Sequence, residues 1–305
     1  MSILTRSKKN EFNVISRTSN FFLNIIFVLL VVACICPVVL VIIVSFTAES
    51  SINKNGYSFF PQEFSTLAYK YVLNDATQII RSYGVSLFVT IVGSALAVLI
   101  VALYAYPISR KDFKHRGIFT FIVFFTMLFS GGLVPWYMVY SNLLQLKNTV
   151  AVLIIPHLVT PFYVLIMKTF FSTNIPDSVV ESAKIDGAGE IRIFASIVVK
   201  LSTPALATIG LFSTIHYWND WFNALMFITD VKIMPLQFLL YRIQTTLEVL
   251  IQLSSSSGQV LSIAELPNQS VRMALCVITM GPIILAYPFF QKYFVKGLTI
   301  GAIKG

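Results

Sequence analysis

TSNFFLNIIFVLLVVACICPVVLVIIVSFTA, residues 18–48, runs for 31 positions without a charge, between Arg17 and Glu49. About 20 apolar residues in a helix cross the ~30 Å hydrocarbon core of a bilayer. This stretch is long enough to span. Val31-Val32-Ala33 before Cys34 mimics the box that precedes a lipoprotein cysteine, and the basic-then-apolar start resembles a signal peptide. The apolar run continues through Pro37 to Ala48, however, so it reads as an uncleaved first span.

Five further runs follow. Residues 82–109 hold 28 uncharged positions, 117–146 hold 30, 201–219 hold 19 and 273–291 hold 19; residues 150–167 lie between Lys147 and Lys168. Apolar character continues past Asp220 to about Thr229. The spacing predicts an all-α polytopic membrane protein of one domain, 1–305. Its six spans are 20–47, 82–108, 117–142, 149–170, 202–228 and 273–291, with outside loops 48–81 and 230–271 and an inside element 174–200.

Composition agrees. Of 305 residues, 56% are hydrophobic and 11% charged, with mean hydropathy +0.80. Soluble domains carry about 25% charged residues, so an ordinary soluble enzyme is excluded. The net charge of +9 raises nucleic acid as a partner. Topology accounts for it instead: with the N-terminus inside, 15 of the 22 Lys and Arg fall on inside segments and 7 on outside ones, as membrane orientation requires. Three cysteines in apolar stretches (Cys34, Cys36, Cys276) give no disulfide framework, and three histidines (His115, His157, His216) give no His-rich metal centre. No metal or cofactor site is expected.

Among the soluble segments, 48–81 contains strand-like aromatic residues (Tyr57 to Pro61), and 110–116 is a basic loop read as an orientation signal or, alternatively, as a contact for lipid or an ATPase. Within 230–271, residues 235–253 have helical spacing and precede the flexible 254–258. The inside element carries more. Asn174 is placed to cap a helix, Pro176 suits its first turn and Asp177 its positive end. Val179, Val180 and Ala183 recur at helical spacing, and Gly187 ends the helix in a left-handed or tight turn. A second short helix restarts at 188–190, with Ile191, Phe194, Ile197 and Val198 on one face. Spacing alone leaves two readings, a surface hairpin between spans and a docking knob for a partner.

Glu181-Ser182-Ala183 followed by Asp186-Gly187-Ala188 resembles the EAA loop of permease subunits of binding-protein-dependent ABC importers. The stretches 127–132 (MLFSGG), 218–222 (WNDWF), 291–297 (QKYFVKG) and 301–305 (GAIKG) are similar to the carbohydrate-importer branch, including its lipoprotein-associated and oligosaccharide-type permeases. Val199-Lys200 departs from the Leu-Pro pair common there, and Ser182 replaces a second Ala. The resemblance implies a type I importer permease fold with a cytoplasmic coupling-helix hairpin in a bacterial plasma membrane, N- and C-termini inside. It implies a second homologous permease, two ATPase subunits, an extracytoplasmic sugar-binding protein and an oligosaccharide as partners. Glu181, Ala183, Asp186, Gly187 and Ala188 would couple to an ATPase, Glu181 by charge or hydrogen bond, Ala183 by close packing and Gly187 by its turn. The chain has no G-x-x-x-x-G-K-[ST] phosphate loop, so ATP and Mg²⁺ would be bound by the partner ATPases and this subunit would not be an enzyme.

Asp220 is the only acidic residue within a span, and an ionised Asp there must face a cavity or a partner. Ser213, His216, Asp220 and Asn223 step by three, four and three along one helical stripe, with Asn219 beside it and Trp218 and Trp221 flanking it. They read either as a polar and aromatic wall of a sugar path or as inter-helix hydrogen bonding near an interface. Trp136, Tyr137 and Tyr140 read as an aromatic belt, and His157, between Pro156 and Pro161, as a packed kink residue. The outside segment 230–271 is a candidate contact for the binding protein or a plain connector. The rival functions are a permease for a non-sugar solute and an ion-coupled secondary transporter, which would need several ionisable groups near mid-membrane.

Overall fold

The computed structural model of the chain describes residues 16–256 and 269–301. In chain order the helices are α1 (Arg17–Ser45), α2 (Glu49–Asn55), α3 (Leu67–Val72), α4 (Ala76–Ser109), α5 (Arg116–Leu128), α6 (Leu133–Met138), α7 (Ala151–Ile154), α8 (Pro161–Asn174), α9 (Asp177–Ile185), α10 (Glu190–Ile193), α11 (Val199–Leu201), α12 (Thr203–Trp218), α13 (Phe222–Phe227), α14 (Leu236–Ser256) and α15 (Gln269–Gly301). Wider π-type turns continue α6 over Val139–Leu143 and join α10 to α11 over Phe194–Val198. No strand forms among the described residues. The strand-like stretch Tyr57 to Pro61 forms no strand; the isolated antiparallel bridge pairs Thr47 with Phe64, and the loop 48–81 is largely helical.

Where the uncharged runs suggest six simple spans, several are broken. The helices α1 and α4 are each long and apolar enough to cross a membrane unaided. The stretch 117–142 is α5 followed by α6, meeting at 114°; 149–170 is α7 and α8, meeting at 50°; and the hairpin's return helix meets α12 at 81°. Local sequence explains each break. Gly132 has φ +87°, a conformation open to glycine. Thr160 is held extended before Pro161. Ser202 closes α11, and Pro204 sits in the first turn of α12, so the proline of this turn lies beyond Val199-Lys200. Span 202–228 is itself divided into α12 and α13.

The chain, read from sequence as one domain, divides into two compact units: Met1–Tyr71 with Ala264–Val277, and Val72–Ile263 with Ile278–Gly305. In the first, α1 begins under a Ser16 cap, whose hydroxyl accepts from the Ser19 N–H at 3.1 Å, and runs unbroken through Cys34 and Pro37. After it, Phe46 stacks on Tyr69 with ring centroids 4.7 Å apart, and Ser45 and Tyr69 share a 2.8 Å hydroxyl bond. The Glu49 carboxylate accepts from the N–H of Gln269 (2.9 Å) and from the N–H and hydroxyl of Ser270 (3.0 and 2.8 Å), satisfying the first turn of α15.

In the second unit α4 is the axis, 34 residues and therefore ~51 Å long. Gly93, Ala97, Val101 and Ala105 recur every fourth residue along it. Small side chains let helix backbones approach, and α8 and α12 pack along α4. Two apolar clusters result. One gathers Val101, Ala105, Val164, Met167, Ile193 and Ile209 at the end that carries α9 and α10; the other gathers Val89, Val152, Tyr217, Phe227 and Met234. The helix α14 fills the spacing read over 235–253 and includes Ser254 and Ser255; residues 257–258 of the Ser-rich stretch lie outside the described residues.

Candidate functional site

The α9–α10 hairpin is built by its own turn chemistry. Asn174, expected to cap α9, is instead the last residue of α8; its amide donates to the Phe170 carbonyl at 3.2 Å. Pro176 occupies the cap position in extended conformation, and Asp177 starts α9. At the other end Gly187 has φ +80°. The Ala188 N–H reaches back to the Ala183 carbonyl (2.9 Å) and the Gly187 N–H to the Lys184 carbonyl (3.0 Å). These two bonds form a Schellman motif, which satisfies the last carbonyls of α9 and reverses the chain.

Charges then lock the hairpin to the loop between α4 and α5. Lys184 Nζ bridges Asp112 Oδ2 at 2.9 Å and Glu190 Oε1 at 2.6 Å. The Tyr106 hydroxyl donates to Glu190 Oε2 at 2.9 Å. Arg110 holds Asp112 through two nitrogens, Nε at 3.3 Å and Nη2 at 3.2 Å, and Lys111 bonds Asp177 at 2.8 Å. The hydrogen bonds from Lys184 and then Arg110 hold the Asp112 carboxyl down at about 2. Lys184 likewise lowers Glu190 and is itself raised by Glu190 and Asp112; Lys111 lowers Asp177. The basic loop 110–116 thus does more than orient the chain.

Val180, Ala183, Ile193, Phe194 and Val198 face inward, buried in the core. Ala183 therefore packs against its own chain. Ile191, expected on one face with Phe194, Ile197 and Val198, is 85% exposed, and Ile193 is buried beside Phe194 and Val198 instead. The π-type turn at Phe194–Val198 inserts an extra residue and changes the helical phase between Ile191 and Val198. Outward the hairpin presents Ile185, 86% exposed, with Glu181, Asp186, Gly187 and Ile191.

The second group of polar residues lies where α7 meets α8 and α12 meets α13. His157 is its hub. Asn223 Nδ2 lies 2.8 Å from Asp220 Oδ2 and 2.6 Å from His157 Nε2, and His157 Nδ1 lies 2.9 Å from His216 Nε2. An amide nitrogen has two hydrogens, so Asn223 donates to both neighbours. The His157 tautomer sets which of its ring nitrogens donates in these contacts. Asp220 Oδ1 also accepts from the Asn223 N–H at 3.2 Å, capping α13. His157 Nε2 and Asp220 Oδ2 are 3.1 Å apart. Two imidazoles and a carboxylate invite a metal reading, yet these groups bond one another, and no metal-holding group of three or more His, Cys, Asp or Glu occurs among the described residues. Asn219 bonds the Ile215 carbonyl at 2.8 Å and stands apart from the hub. Ser213 is 2% exposed, and its hydroxyl has no partner among the described residues.

Three breaks, α5 to α6, α7 to α8 and α12 to α13, lie at similar distances along their helices. From the hairpin end, α5 runs 13 residues, α8 runs 14 and α12 runs 16. The breaks therefore lie ~20, ~21 and ~24 Å along their helices, less than the ~30 Å thickness of a hydrocarbon core. Non-helical backbone at such depth is tolerated where it is covered by protein or lines a water-filled cavity.

Residues 81–300 match the family described as the binding-protein-dependent transport system inner membrane component. The chain belongs to this family. Among relatives, this permease is 40% identical over 271 residues to Protein LplC of Bacillus subtilis (strain 168), covering 89% of the chain and 90% of LplC. It is 39% identical over 279 residues to the polygalacturonan/rhamnogalacturonan transport system permease protein YtcP of the same organism, covering 89% and 93%. A solved bacterial ABC transporter involved in the import of the acidic polysaccharide alginate has a chain that aligns with TM-score 0.74 and 28% identity, over 92% of this permease and 99% of that chain. The all-α importer-permease fold expected from sequence is thereby shown.

Of the residues singled out from sequence, Glu181, Asp186 and Gly187 lie on the exposed rim of the permease hairpin, Ala188 is half-buried and Ala183 is inside. His216, Asp220 and Asn223 come together, although the helix carrying the stripe breaks at Asn219. Sequence reasoning missed Arg110 and Asp112 as braces of the hairpin, Glu190 as a partner of Lys184, and His157 as the hub. It also read Trp136, Tyr137 and Tyr140 as a belt, whereas all three pack around the buried Phe227, at 4.8, 5.4 and 6.0 Å between ring centroids.

Proposed function

We propose that this permease forms half of the membrane path of an ATP-driven importer for an oligosaccharide and couples to an ATPase through the 181–188 element. The observation that carries the reading is the hairpin. Its turn is fixed by Gly187, its base is strapped by Lys184, and it leaves two apolar side chains, Ile185 and Ile191, bare beside the Glu181 carboxylate. Exposed apolar anchors rimmed by charge are the marks of a docking surface. A groove on an ATPase subunit would seat Ile185 and Ile191, and Glu181 would meet a donor at its edge.

The saccharide is supported by what the relatives are named for: polygalacturonan and rhamnogalacturonan for YtcP, arabino-oligosaccharides for a permease of Halalkalibacterium halodurans that is 27% identical. A second permease would complete the path, two ATPase subunits would hold ATP and Mg²⁺, and an extracytoplasmic binding protein would deliver the sugar. The permease itself would bind no cofactor and carry out no hydrolysis. It would lie in a bacterial cytoplasmic membrane with both termini inside. Ser213, His216, Asn219, Asp220 and Asn223 are the path candidates, and the His157-centred hub supports three of them, His216, Asp220 and Asn223.

The test is ATPase activity of the reconstituted complex. Saccharide-loaded binding protein should stimulate the wild type; Gly187→Asp and Glu181→Arg should lose stimulation or fail to retain the ATPase. Normal assembly and transport by both variants would reduce the hairpin to a linker.

A further inference from the structure

We infer that the cavity enclosed by α4, α5 and α8 on the hairpin side binds one phospholipid whose headgroup carries an anionic phosphate and free hydroxyls, as phosphatidylglycerol does. The cavity shares no residue with the polar hub or with the exposed rim of the hairpin, and the inference holds whatever solute the permease passes.

Charge is the first argument. The cavity measures about 600 Å³, and Arg116 and Lys168 are the charged residues that line it. Neither side chain has a hydrogen bond or an ion pair among the described residues. The acids of the adjoining loop and hairpin are already engaged, Asp112 by Arg110 and Lys184, and Asp177 by Lys111 and Arg110. Lys168 lies ~9 Å before the end of α8, within the stretch 149–170 expected to span. A cation at such a place turns its head toward the membrane surface and needs an opposite charge. Arg116 opens α5 and brings a planar fork suited to a phosphate. Basic pockets between membrane helices take acidic headgroups for these reasons.

The hydroxyls narrow the headgroup. Ser109, Thr120 and Ser172 line the same cavity. Each has given its hydrogen to a carbonyl: Ser109 to Tyr106 at 2.6 Å, Thr120 to Arg116 at 2.7 Å and Ser172 to Ser109 at 3.3 Å. A hydroxyl has one hydrogen and two lone pairs, so toward a ligand these three are acceptors. The phosphate must then draw on Arg116 and Lys168, while a headgroup hydroxyl supplies the donors that the Ser and Thr oxygens lack. Choline has no O–H or N–H to give. An ethanolamine ammonium would donate, but beside two cations and with no acid lining the cavity.

The apolar side commits the site to a lipid. Gly117, Thr120, Phe121 and Phe124 lie on one face of α5. A Cβ on Gly117 would meet nothing within 4 Å, so there is room beside Arg116. Phe121 and Phe124 follow ~8 and ~12 Å along the helix, and Leu165 faces the same cavity one turn from Lys168. Phe121 is 62% exposed. The order along the cavity is thus cation, hydroxyl, apolar wall, which is the order of phosphate, glycerol and acyl chain. A soluble phosphate would use only the first.

The experiment uses the reconstituted complex in nanodiscs doped with a phosphatidylglycerol that bears a photoreactive diazirine in one acyl chain; adducts are mapped by peptide mass spectrometry. We expect adducts within 116–124 and 165–172, displaced by dioleoyl phosphatidylglycerol and at least about fivefold less well by dioleoyl phosphatidylcholine or phosphatidylethanolamine. Arg116→Gln and Lys168→Gln should each weaken labelling about fivefold. Gly117→Leu, which fills the cavity and leaves its charge alone, should abolish it, and Lys114→Gln, in the same loop but outside the cavity, should leave it unchanged. The adduct map of the wild type decides by itself should a variant not assemble: adducts confined to other parts of the chain would overturn the inference. Equal displacement by phosphatidylcholine or phosphatidylethanolamine would overturn the headgroup class, and displacement by millimolar glycerol 3-phosphate would overturn the lipid in favour of a soluble phosphate. Labelling that survives both Gly117→Leu and the loss of either cation would overturn the site.

Discussion

Gly93 on α4 faces the ring of Tyr217 on α12 so closely that a Cβ built on the glycine falls 2.7 Å from the ring. The ring has nowhere to go: Tyr217 is 4% exposed, and its hydroxyl donates to the Ile154 carbonyl at 2.8 Å. Gly93→Ala should destabilise the protein by ~1–3 kcal/mol through overpacking, read as a lowered thermal midpoint of the purified complex. In a Tyr217→Ser background the added methyl should cost little, because contacting residues couple. An equal loss in both backgrounds would show that the ring is not what excludes the side chain.

Gly187 differs from Gly93, since nothing lies within 4 Å of its virtual Cβ. Its constraint is the backbone alone, at φ +80°. Gly187→Ala should therefore cost only the left-handed penalty, ~1–2 kcal/mol, and Gly187→Asn less, because Asn visits that region more readily. ATPase retention should rank Gly, Asn, Ala. Alanine matching glycine would contradict the Schellman turn.

The Lys184 clamp makes a pH prediction. Asp112 and Glu190 are depressed carboxyls, so the stability they contribute is present above their ordinary values, about 4, and is lost as pH falls toward the value of about 2 held by Asp112. The gap in thermal stability between wild type and Lys184→Met should be constant from about pH 5 to 8 and close below about pH 4. It should stay under about 1 kcal/mol, because Asp112 and Lys184 are 51% and 37% exposed and solvent screens them. A gap that widened on acidification would refute the assignment.

Glu49 caps α15 from a distance of more than 200 residues in sequence. Glu49→Ala should cost ~0.5–2 kcal/mol and speed amide exchange at Gln269 and Ser270, with Glu49→Gln in between. Unchanged exchange in Glu49→Ala would mean that water replaces the cap without loss.

Charge-free runs mark apolar stretches because hydrocarbon tolerates few charges, whatever the helix does inside them. For the same reason they could not reveal the breaks. Gly132 and Pro161 mark two of them, and both sit in uncharged sequence that reads as continuous. The hairpin turn was legible, since Gly187 and its neighbours act locally. Its strapping was not: Asp112 and Lys184 are 72 residues apart, and the fold alone joins them. His157, read as a packed kink residue, does sit at the α7–α8 bend, but its contact with Asp220, 63 residues away, was not legible. Ile191 misled because regular helical spacing was assumed across a segment that contains a wider turn.

The strapped hairpin also has a mechanical meaning. Val180 and Ala183 on α9 share one close-packed cluster with Val101 and Ala105 on α4 and Val164 on α8, while Lys184 ties the same helix to Asp112. A push on Ile185 thus meets packed side chains between α9 and the helices behind it. Loaded at that tip, α9 would behave as the short arm of a lever whose long arm is the ~51 Å of α4, and a displacement at one end would reappear, enlarged, at the other.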